Sequence, residues 1–286
     1  MKRQDPKAGS LNKTLGVGAV VVLAAWLLFS NILPSPGPKD GSAPAKGKGY
    51  TLAFPEDFNR ALAARDDLGI SVVIAVDISG SMADPPRAGG EAKYVQAAGA
   101  LAEVARVIER IAKSAPPGLV IKAGILKFNE AVTPVLELTT LDAAGLARFK
   151  AVVADPENFL PGGKTAIGAA IEGGIARLAQ SGTILRSLVV ITDGANTEGT
   201  EPAPVLEAVY ANRNSASGEG YTVSTSTNLV SFVGFDVDSG LFGPLSALGA
   251  RVTSAADRTE LSKVVSSILE ADITKLEAPS LGGAKQ

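Results

Sequence analysis

Three small oxygen-bearing side chains follow a strongly apolar stretch of the chain. Residues 72–76 read Val-Val-Ile-Ala-Val, and Asp77, Ser79 and Ser81 come next at alternate positions. An apolar, β-branched run predicts a buried strand, and polar residues directly after it lie at the strand's end. Carboxylate and hydroxyl oxygens are hard ligands that suit Mg²⁺, and Gly80 permits the tight turn that would bring them together. The spacing therefore indicates a metal site at the end of a strand.

The same spacing also has an ordinary structural explanation. Asp and Ser after a strand commonly cap the next helix or form a turn, and an isolated Asp-x-Ser-x-Ser fits that role equally well. Two later segments favour the metal site. Thr165 follows Gly162-Gly163-Lys164 at the start of a predicted helix, and Asp193 follows a second buried stretch at residues 188–192.

Taken together, these segments resemble the metal-ion-dependent adhesion site of the von Willebrand factor A domain. The resemblance covers about residues 69–270 and rests on Asp-x-Ser-x-Ser, Thr-x-x-Gly and a strand followed by Asp-Gly. It implies a Rossmann-like α/β fold and Mg²⁺ as the ion, with Mn²⁺ or Ca²⁺ as substitutes. The ligands that the resemblance implies are Asp77, Ser79, Ser81, Thr165 and Asp193.

The composition narrows the classes of function. The 286 residues include 27 Lys and Arg against 29 Asp and Glu, a net charge of −2 that gives no sign of nucleic-acid binding. The chain contains no Cys, which excludes disulfides and thiol chemistry. It also contains no His, which removes the commonest general base and any Ser-His-Asp triad.

Strand-like and helix-like stretches alternate from residue 70 onward, which predicts a mostly parallel sheet with helices on both faces. Residues 119–128 and 132–138 are separated by three residues, so they are predicted to form an antiparallel hairpin at one edge. The other predicted elements are strands at 70–76, 186–192, 229–235 and 251–254, and helices at 91–113, 143–153, 165–180, 205–212, 241–248 and 257 to 269 or 276.

A transmembrane helix is predicted ahead of this domain. Residues 1–14 form a basic tail, and residues 15–33 are uncharged and just long enough to cross a bilayer at about 1.5 Å per residue. A cleavable signal peptide is the alternative, but the Ala-Pro-Ala at 43–45 lies far beyond the apolar run. The basic flank favours a cytoplasmic N-terminus, so a bacterial protein of this kind would be single-pass in the inner membrane with a periplasmic domain.

The rest of the chain divides by composition. Residues 34–49 are rich in Pro, Gly and Lys and predict an extended linker, and residues 50–68 form a pre-domain segment. The von Willebrand factor A domain is predicted at 69–276, followed by a flexible tail at 277–286. Inside the domain, the polar stretch 214–227 is either disordered or a specificity loop.

Two further motifs point to other ligands, and both are weak. Residues 163–165 read Gly-Lys-Thr like the end of a phosphate-binding loop, but the required first glycine is replaced by Asn158. Residues 236–240 resemble the start of a calcium loop but lack its later ligands, so a turn is expected.

The resemblance implies a protein-binding module and not an enzyme. In the family, neutral hydroxyl ligands leave the ion electrophilic, and its open position takes an Asp or Glu of a partner protein. The layout resembles membrane-anchored family members that work beside MoxR-type AAA+ ATPases in envelope complex assembly or maturation. A metal-dependent hydrolase is the alternative, with Asp84 or Glu198 as the general base near the ion.

Overall fold

The computed structural model describes residues 67–115, 117–211 and 228–277. Several predicted segments lie outside these residues: 1–14, 15–33, 34–49, nearly all of 50–68, 214–227 and nearly all of 277–286. Among the described helices, none is both long and apolar enough to cross a membrane.

Six strands of the described residues form one sheet. In spatial order they are β3 (Val132–Thr140), β2 (Val120–Phe128), β1 (Asp67–Asp77), β4 (Thr183–Thr192), β5 (Asn228–Phe235) and β6 (Arg251–Ala255). Every neighbouring pair is parallel except β2 and β3. The structure thus confirms the predicted mostly parallel sheet with one antiparallel edge strand.

Helices cover both faces of the sheet. One face packs against α1 (Lys93–Ser114), α2 (Ala143–Ala154) and α6 (Arg258–Glu277). The other face packs against α3 (Ile167–Ala179), α4 (Pro202–Ala211) and α5 (Gly243–Ala247). The predicted α/β layering is therefore correct for the described part of the chain.

Strand β1 lies in the middle of the sheet because its side chains are apolar on both faces. Ile74 and Val76 pack under α1 and α6, whereas Val73 and Ala75 pack under α3 and α4. Fully burying one Val or Ile side chain stabilises a fold by about 1.5–3 kcal/mol. Because β1 and its neighbour β4 are parallel, their carboxyl ends lie side by side at one end of the sheet. Open α/β sheets bind ligands at this end.

Several boundaries differ from the predicted ones for identifiable physical reasons. Strand β4 begins at Thr183, three residues before the predicted start, because the Thr183 hydroxyl donates to buried Ser71 at 2.7 Å. Helix α3 begins at Ile167 and not at Thr165, since the Ile167 N–H donates to the Asn196 side chain at 2.8 Å. Buried polar pairs of this kind leave no hydropathy signal in the sequence.

Candidate metal site

Asp77 ends β1 and is held rigidly from two sides. One carboxylate oxygen accepts the Ser79 backbone N–H at 2.7 Å, and the other accepts the Thr192 hydroxyl at 2.6 Å. Burial raises the pKa of Asp77 from 3.8 to about 6, and the charge of Asp193 also raises it. The hydrogen bonds from Thr192 and Ser79 oppose this shift but do not cancel it. Burial therefore disfavours the ionised carboxylate, which is the form that a cation would stabilise.

The two serines connect Asp77 to the end of β4. The Ser79 and Ser81 hydroxyl oxygens lie 3.2 Å apart, and Ser81 donates to one carboxylate oxygen of Asp193 at 2.8 Å. Asp193 follows β4 directly and is buried, as is Ser79, whereas Ser81 is exposed to solvent. The structure thus brings four of the five predicted ligands into one hydrogen-bonded group that opens to solvent.

Thr165 lies on a separate loop that is tied to the same strand end. The Gly80 N–H donates to the Gly163 carbonyl at 3.0 Å, and the Gly162 N–H donates to the Ile78 carbonyl at 2.7 Å. Gly163 has a φ of +80°, a conformation that L-residues with a side chain rarely adopt. Thr165 itself is buried, and its hydroxyl makes no hydrogen bond to another described residue. Backbone hydrogen bonds therefore place this loop beside the serines, although no hydrogen bond joins Thr165 to the other four residues.

Two asparagines fix the position of the Thr165 loop, and neither was predicted from the sequence. Asn129, just after β2, donates to the Gly162 carbonyl at 2.9 Å and accepts the Ala166 N–H on its own carbonyl at 3.0 Å. Asn196 accepts the Ile167 N–H from the opposite side. A side-chain amide at the end of a strand is a signal for such a role, but its partner lies more than thirty residues away.

Lys93 is a further residue of the site whose role was not predicted from the sequence. Its ammonium donates to the second carboxylate oxygen of Asp193 at 2.7 Å and to the Ser81 carbonyl at 3.3 Å. The Lys93 side chain is 10% exposed and that of Asp193 is 0% exposed, so this ion pair is shielded from solvent. Nothing in the spacing between the two residues predicts the contact.

Exposed charges lie on the rim of the site. The Lys164 ammonium pairs with Glu198 at 2.7 Å, and the Lys164 N–H donates to Glu130 at 3.3 Å. The ion pair lowers the pKa of Glu198 and raises that of Lys164. Lys164 thus contacts carboxylates of the protein itself, and Gly163-Lys164-Thr165 follows a loop and not a strand, unlike a phosphate-binding loop.

The calcium-like segment at 236–240 forms a turn. Asp238 accepts the Gly240 N–H at 2.6 Å at the start of a short 3₁₀ helix, Ser239–Phe242. Asp236 has a φ of +59° and pairs with Arg87 at 3.1 Å. Both carboxylates are thus engaged by protein groups.

The donor set at the end of β1 and β4 fits a hard divalent cation. All of its side-chain ligands are oxygens, and Asp77 is a buried carboxylate whose pKa burial has raised. Among the described residues, no cluster of three or more Asp, Glu, His or Cys side chains could hold an ion. An ion at this position would therefore need the neutral hydroxyls of Ser79, Ser81 and Thr165 as well as the two carboxylates.

Comparisons with known proteins concern the domain family and the fold. The model of the von Willebrand factor type A domain family matches residues 72–196, a range that includes all the predicted ligands. No curated protein sequence matched the chain.

Several solved structures share the fold at low sequence identity. A von Willebrand factor type A protein from Catenulispora acidiphila is 18% identical with a TM-score of 0.53, over 72% of this chain and 43% of that one. The PilB minor pilin from Streptococcus sanguinis is 15% identical with a TM-score of 0.54, over 78% and 65%. The pilus adhesin SpaC from Lactobacillus rhamnosus GG is 13% identical with a TM-score of 0.53, over 73% and 31%.

The present chain spans less than two thirds of each of these three proteins. At such identities the likeness concerns the fold alone. The described residues of this chain form an α/β fold of the von Willebrand factor type A kind, and residues 72–196 match the model of that domain family.

Proposed function

We propose that this domain is a divalent-metal-dependent protein-binding module that captures an acidic residue of a partner protein. The observation that carries the proposal is the convergence of Asp77, Ser79, Ser81 and Asp193 at the ends of two central strands. Mg²⁺ is the proposed ion, with Mn²⁺ or Ca²⁺ as substitutes, because every ligand is a hard oxygen.

The residues of the site have distinct roles in this proposal. Asp77 and Asp193 supply negative charge, whereas Ser79, Ser81 and Thr165 supply neutral oxygens. A bound ion would offer an open coordination position to a carboxylate oxygen of the partner. The exposed Ser81 lies at the solvent side of the group, so a partner can approach the site without moving the sheet.

The geometry gives little support to the hydrolase alternative. Such an enzyme would need a general base beside the ion, and Glu198 and Asp84 are the candidates from the sequence. The ion pair with Lys164 lowers the pKa of Glu198 and makes this carboxylate a weaker base. Asp84 is exposed, and Asp77, whose pKa is raised, is itself a proposed ligand. A binding role without catalysis is therefore the better proposal.

The proposal extends to the cellular setting. The uncharged segment at 15–33 is proposed to anchor the chain in the bacterial inner membrane as a single span, with the domain in the periplasm. A MoxR-type AAA+ ATPase is the proposed partner system, in the assembly or maturation of an envelope complex. The support for this partnership is the order of the chain, with an N-terminal apolar segment, a linker and then this fold. This order is similar to that of the membrane-anchored family members that work beside MoxR-type ATPases.

Calorimetric titration of the full chain with Mg²⁺ and Mn²⁺ tests the metal site. One site is expected in the wild type, and Asp77→Ala is expected to abolish it because the variant removes one of the two carboxylates. Equal binding by the wild type and Asp77→Ala would contradict the proposed ligand set.

Thr165→Ala tests whether the ion mediates partner capture. The Thr165 hydroxyl has no hydrogen bond to the described residues, so its loss should reduce stability by about 1 kcal/mol or less. Mg²⁺-dependent capture of a partner should nevertheless fall at least about tenfold, since the coordination sphere loses one ligand. Crosslinking in membranes with Mg²⁺ or with a chelator, followed by identification of the captured protein, measures this loss.

The control for Thr165→Ala is Thr140→Ala, which removes an exposed hydroxyl. Thr140 ends the edge strand β3 beside the start of β2, at the end of the sheet opposite the proposed site. This variant should capture the partner as the wild type does. If Thr165→Ala also captures it fully in saturating Mg²⁺, the partner binds elsewhere on the protein.

A further inference from the structure

Lys93 occupies an unusual place for a buried cation. It is the first residue of α1, where the positive end of the helix dipole disfavours a positive charge. Its side chain is 10% exposed, and a buried ammonium is costly unless it is paired. The Asp193 carboxylate, 2.7 Å away, compensates both unfavourable effects.

Lys93 and Ser81 together occupy both carboxylate oxygens of Asp193. The Ser81 hydroxyl donates to one oxygen at 2.8 Å, and the Lys93 ammonium donates to the other at 2.7 Å. A second Lys93 contact, to the Ser81 carbonyl at 3.3 Å, holds the ammonium against the loop that carries the serines. A divalent ion that binds Asp193 must therefore displace this ammonium or bind beside its charge.

The charge balance shows how strongly Lys93 affects an incoming ion. With both carboxylates ionised, Asp77 and Asp193 contribute −2, and the Lys93 ammonium reduces this to −1. Without the ammonium, a divalent ion would meet the full −2 of two buried carboxylates, where charge interactions are stronger than in water.

We infer that Lys93 is a built-in competitor cation that lowers the affinity of the site for divalent metal by occupying Asp193. The inference rests on the proposed metal site. Lys93 also stabilises the metal-free domain, because it neutralises a buried carboxylate that would otherwise have no cationic partner. Metal binding then exchanges one cation for another at Asp193.

Titration of the full chain with Mn²⁺ alone tests the inference. Lys93→Met, which keeps an unbranched side chain one atom shorter but removes its charge, should bind Mn²⁺ at least about tenfold more tightly than the wild type. Lys150→Met is the matched control. It removes the same charge from an ion pair between Lys150 and Glu109. Glu109 lies sixteen residues after Lys93 on α1, so the two positions are roughly 24 Å apart along the helix axis. Its Mn²⁺ affinity should equal that of the wild type.

Thermal unfolding provides a second readout, since Lys93→Met leaves a buried carboxylate unpaired and is expected to destabilise the metal-free protein. Mn²⁺ should raise the melting temperature of Lys93→Met more than that of the wild type or Lys150→Met. If Lys93→Met is unfolded in chelator, Mn²⁺ should restore its folding, and failure to do so would overturn the inference.

The outcomes separate this inference from the proposed function. Equal Mn²⁺ affinity in the wild type and Lys93→Met would overturn the role of Lys93 and leave the metal site in place. Absence of Mn²⁺ binding in all variants would remove the metal site and the inference together. Binding by Lys93→Met alone would support the inference and show that the wild-type ammonium takes the place of a metal ion.

Discussion

Asp77 is a residue whose charge the fold disfavours in the absence of a cation. Burial raises its pKa to about 6, although two hydrogen bonds favour the ionised form. Lys93 neutralises Asp193 and makes no contact with Asp77 among the described hydrogen bonds. Among the described residues, Asp77 is therefore a buried carboxylate without a cationic partner in the metal-free domain, and it lies where the proposed ion would bind.

Asp77→Asn should stabilise the metal-free domain near neutral pH. The rise in pKa from 3.8 to about 6 corresponds to about 3 kcal/mol of unfavourable free energy for the ionised form. Asn is nearly isosteric, and the Thr192 hydroxyl can rotate to accept a hydrogen bond from its amide. Urea unfolding in chelator at pH 7.5 should therefore show a gain of up to about 3 kcal/mol, accompanied by loss of Mn²⁺ binding.

The pH dependence distinguishes this explanation from a general improvement in packing. Between pH 3.8 and about 6 the folded state keeps a proton on Asp77 that the unfolded chain has released. The contribution of Asp77 to the wild-type unfolding free energy therefore falls as pH rises through this window. The gain from Asp77→Asn should be small at pH 4 and reach its full value above pH 6. A gain that is the same at pH 4 and pH 7.5 would contradict the assignment.

At the residue scale, local spacing was predictive and long-range pairing was not. Asp77, Ser79 and Ser81 follow one strand within five residues, so the sequence could indicate their convergence. Lys93 contacts a residue one hundred positions away, and Thr192 contacts Asp77 across 115 positions. Such contacts depend on which strands become neighbours in the sheet, and the residue types alone do not specify this.

At the scale of elements, the start of α3 is packed closely against the loop after β4. A Cβ atom added at Gly168 would lie 2.1 Å from the Thr200 carbonyl oxygen. The Thr165 carbonyl accepts the Thr197 and Glu198 N–H groups, which join the same two segments. The absence of a side chain at Gly168 therefore helps to fix the distance between the Thr165 loop and the end of β4.

Gly168→Ala should weaken both the fold and the proposed metal site. The new methyl group cannot be accommodated without moving backbone, and overpacking of this kind typically costs about 1–3 kcal/mol. We expect Gly168→Ala to fold with a lower melting temperature and weaker Mn²⁺ binding than the wild type. Differential scanning calorimetry and Mn²⁺ titration measure the two effects.

Gly162→Ala is the matched control, since a Cβ atom there meets nothing within 4 Å and its φ is not positive. It should change neither property substantially. If Gly168→Ala melts as the wild type and Gly162→Ala do, the contact with Thr200 does not constrain the Thr165 loop.

The element pattern was predictable where hydropathy is periodic. The short connection between β2 and β3 predicted the antiparallel hairpin, and the structure confirms it. The longer alternative for the final helix is correct, because α6 runs to Glu277. The first turn of α3 and the first residues of β4 were misplaced, since side chains from other loops determine where these elements begin.

At the scale of the whole molecule, the proposed metal site lies at the carboxyl ends of the parallel strands β1 and β4, and β1 is the first strand of the described residues. Strand β1 runs from Asp67 to Asp77, so its start lies at the amino ends of the parallel strands, opposite Asp77. Asp67, the first described residue, therefore lies at the end of the sheet opposite the proposed metal site.

The proposed topology places Met1 in the cytoplasm and Gln286 in the periplasm, because the uncharged segment 15–33 follows a basic flank. Protease added to intact spheroplasts should therefore digest the domain while the N-terminus stays protected. Replacing Lys2, Arg3 and Lys7 by Glu should weaken this orientation, since it removes the basic residues that favour the cytoplasmic side. Immunoblotting with tags at each end measures the outcome. If the wild-type domain is digested only after the inner membrane is broken, the orientation is the reverse of the proposed one. If the mature chain begins after Ala45, residues 15–33 belong to a signal peptide.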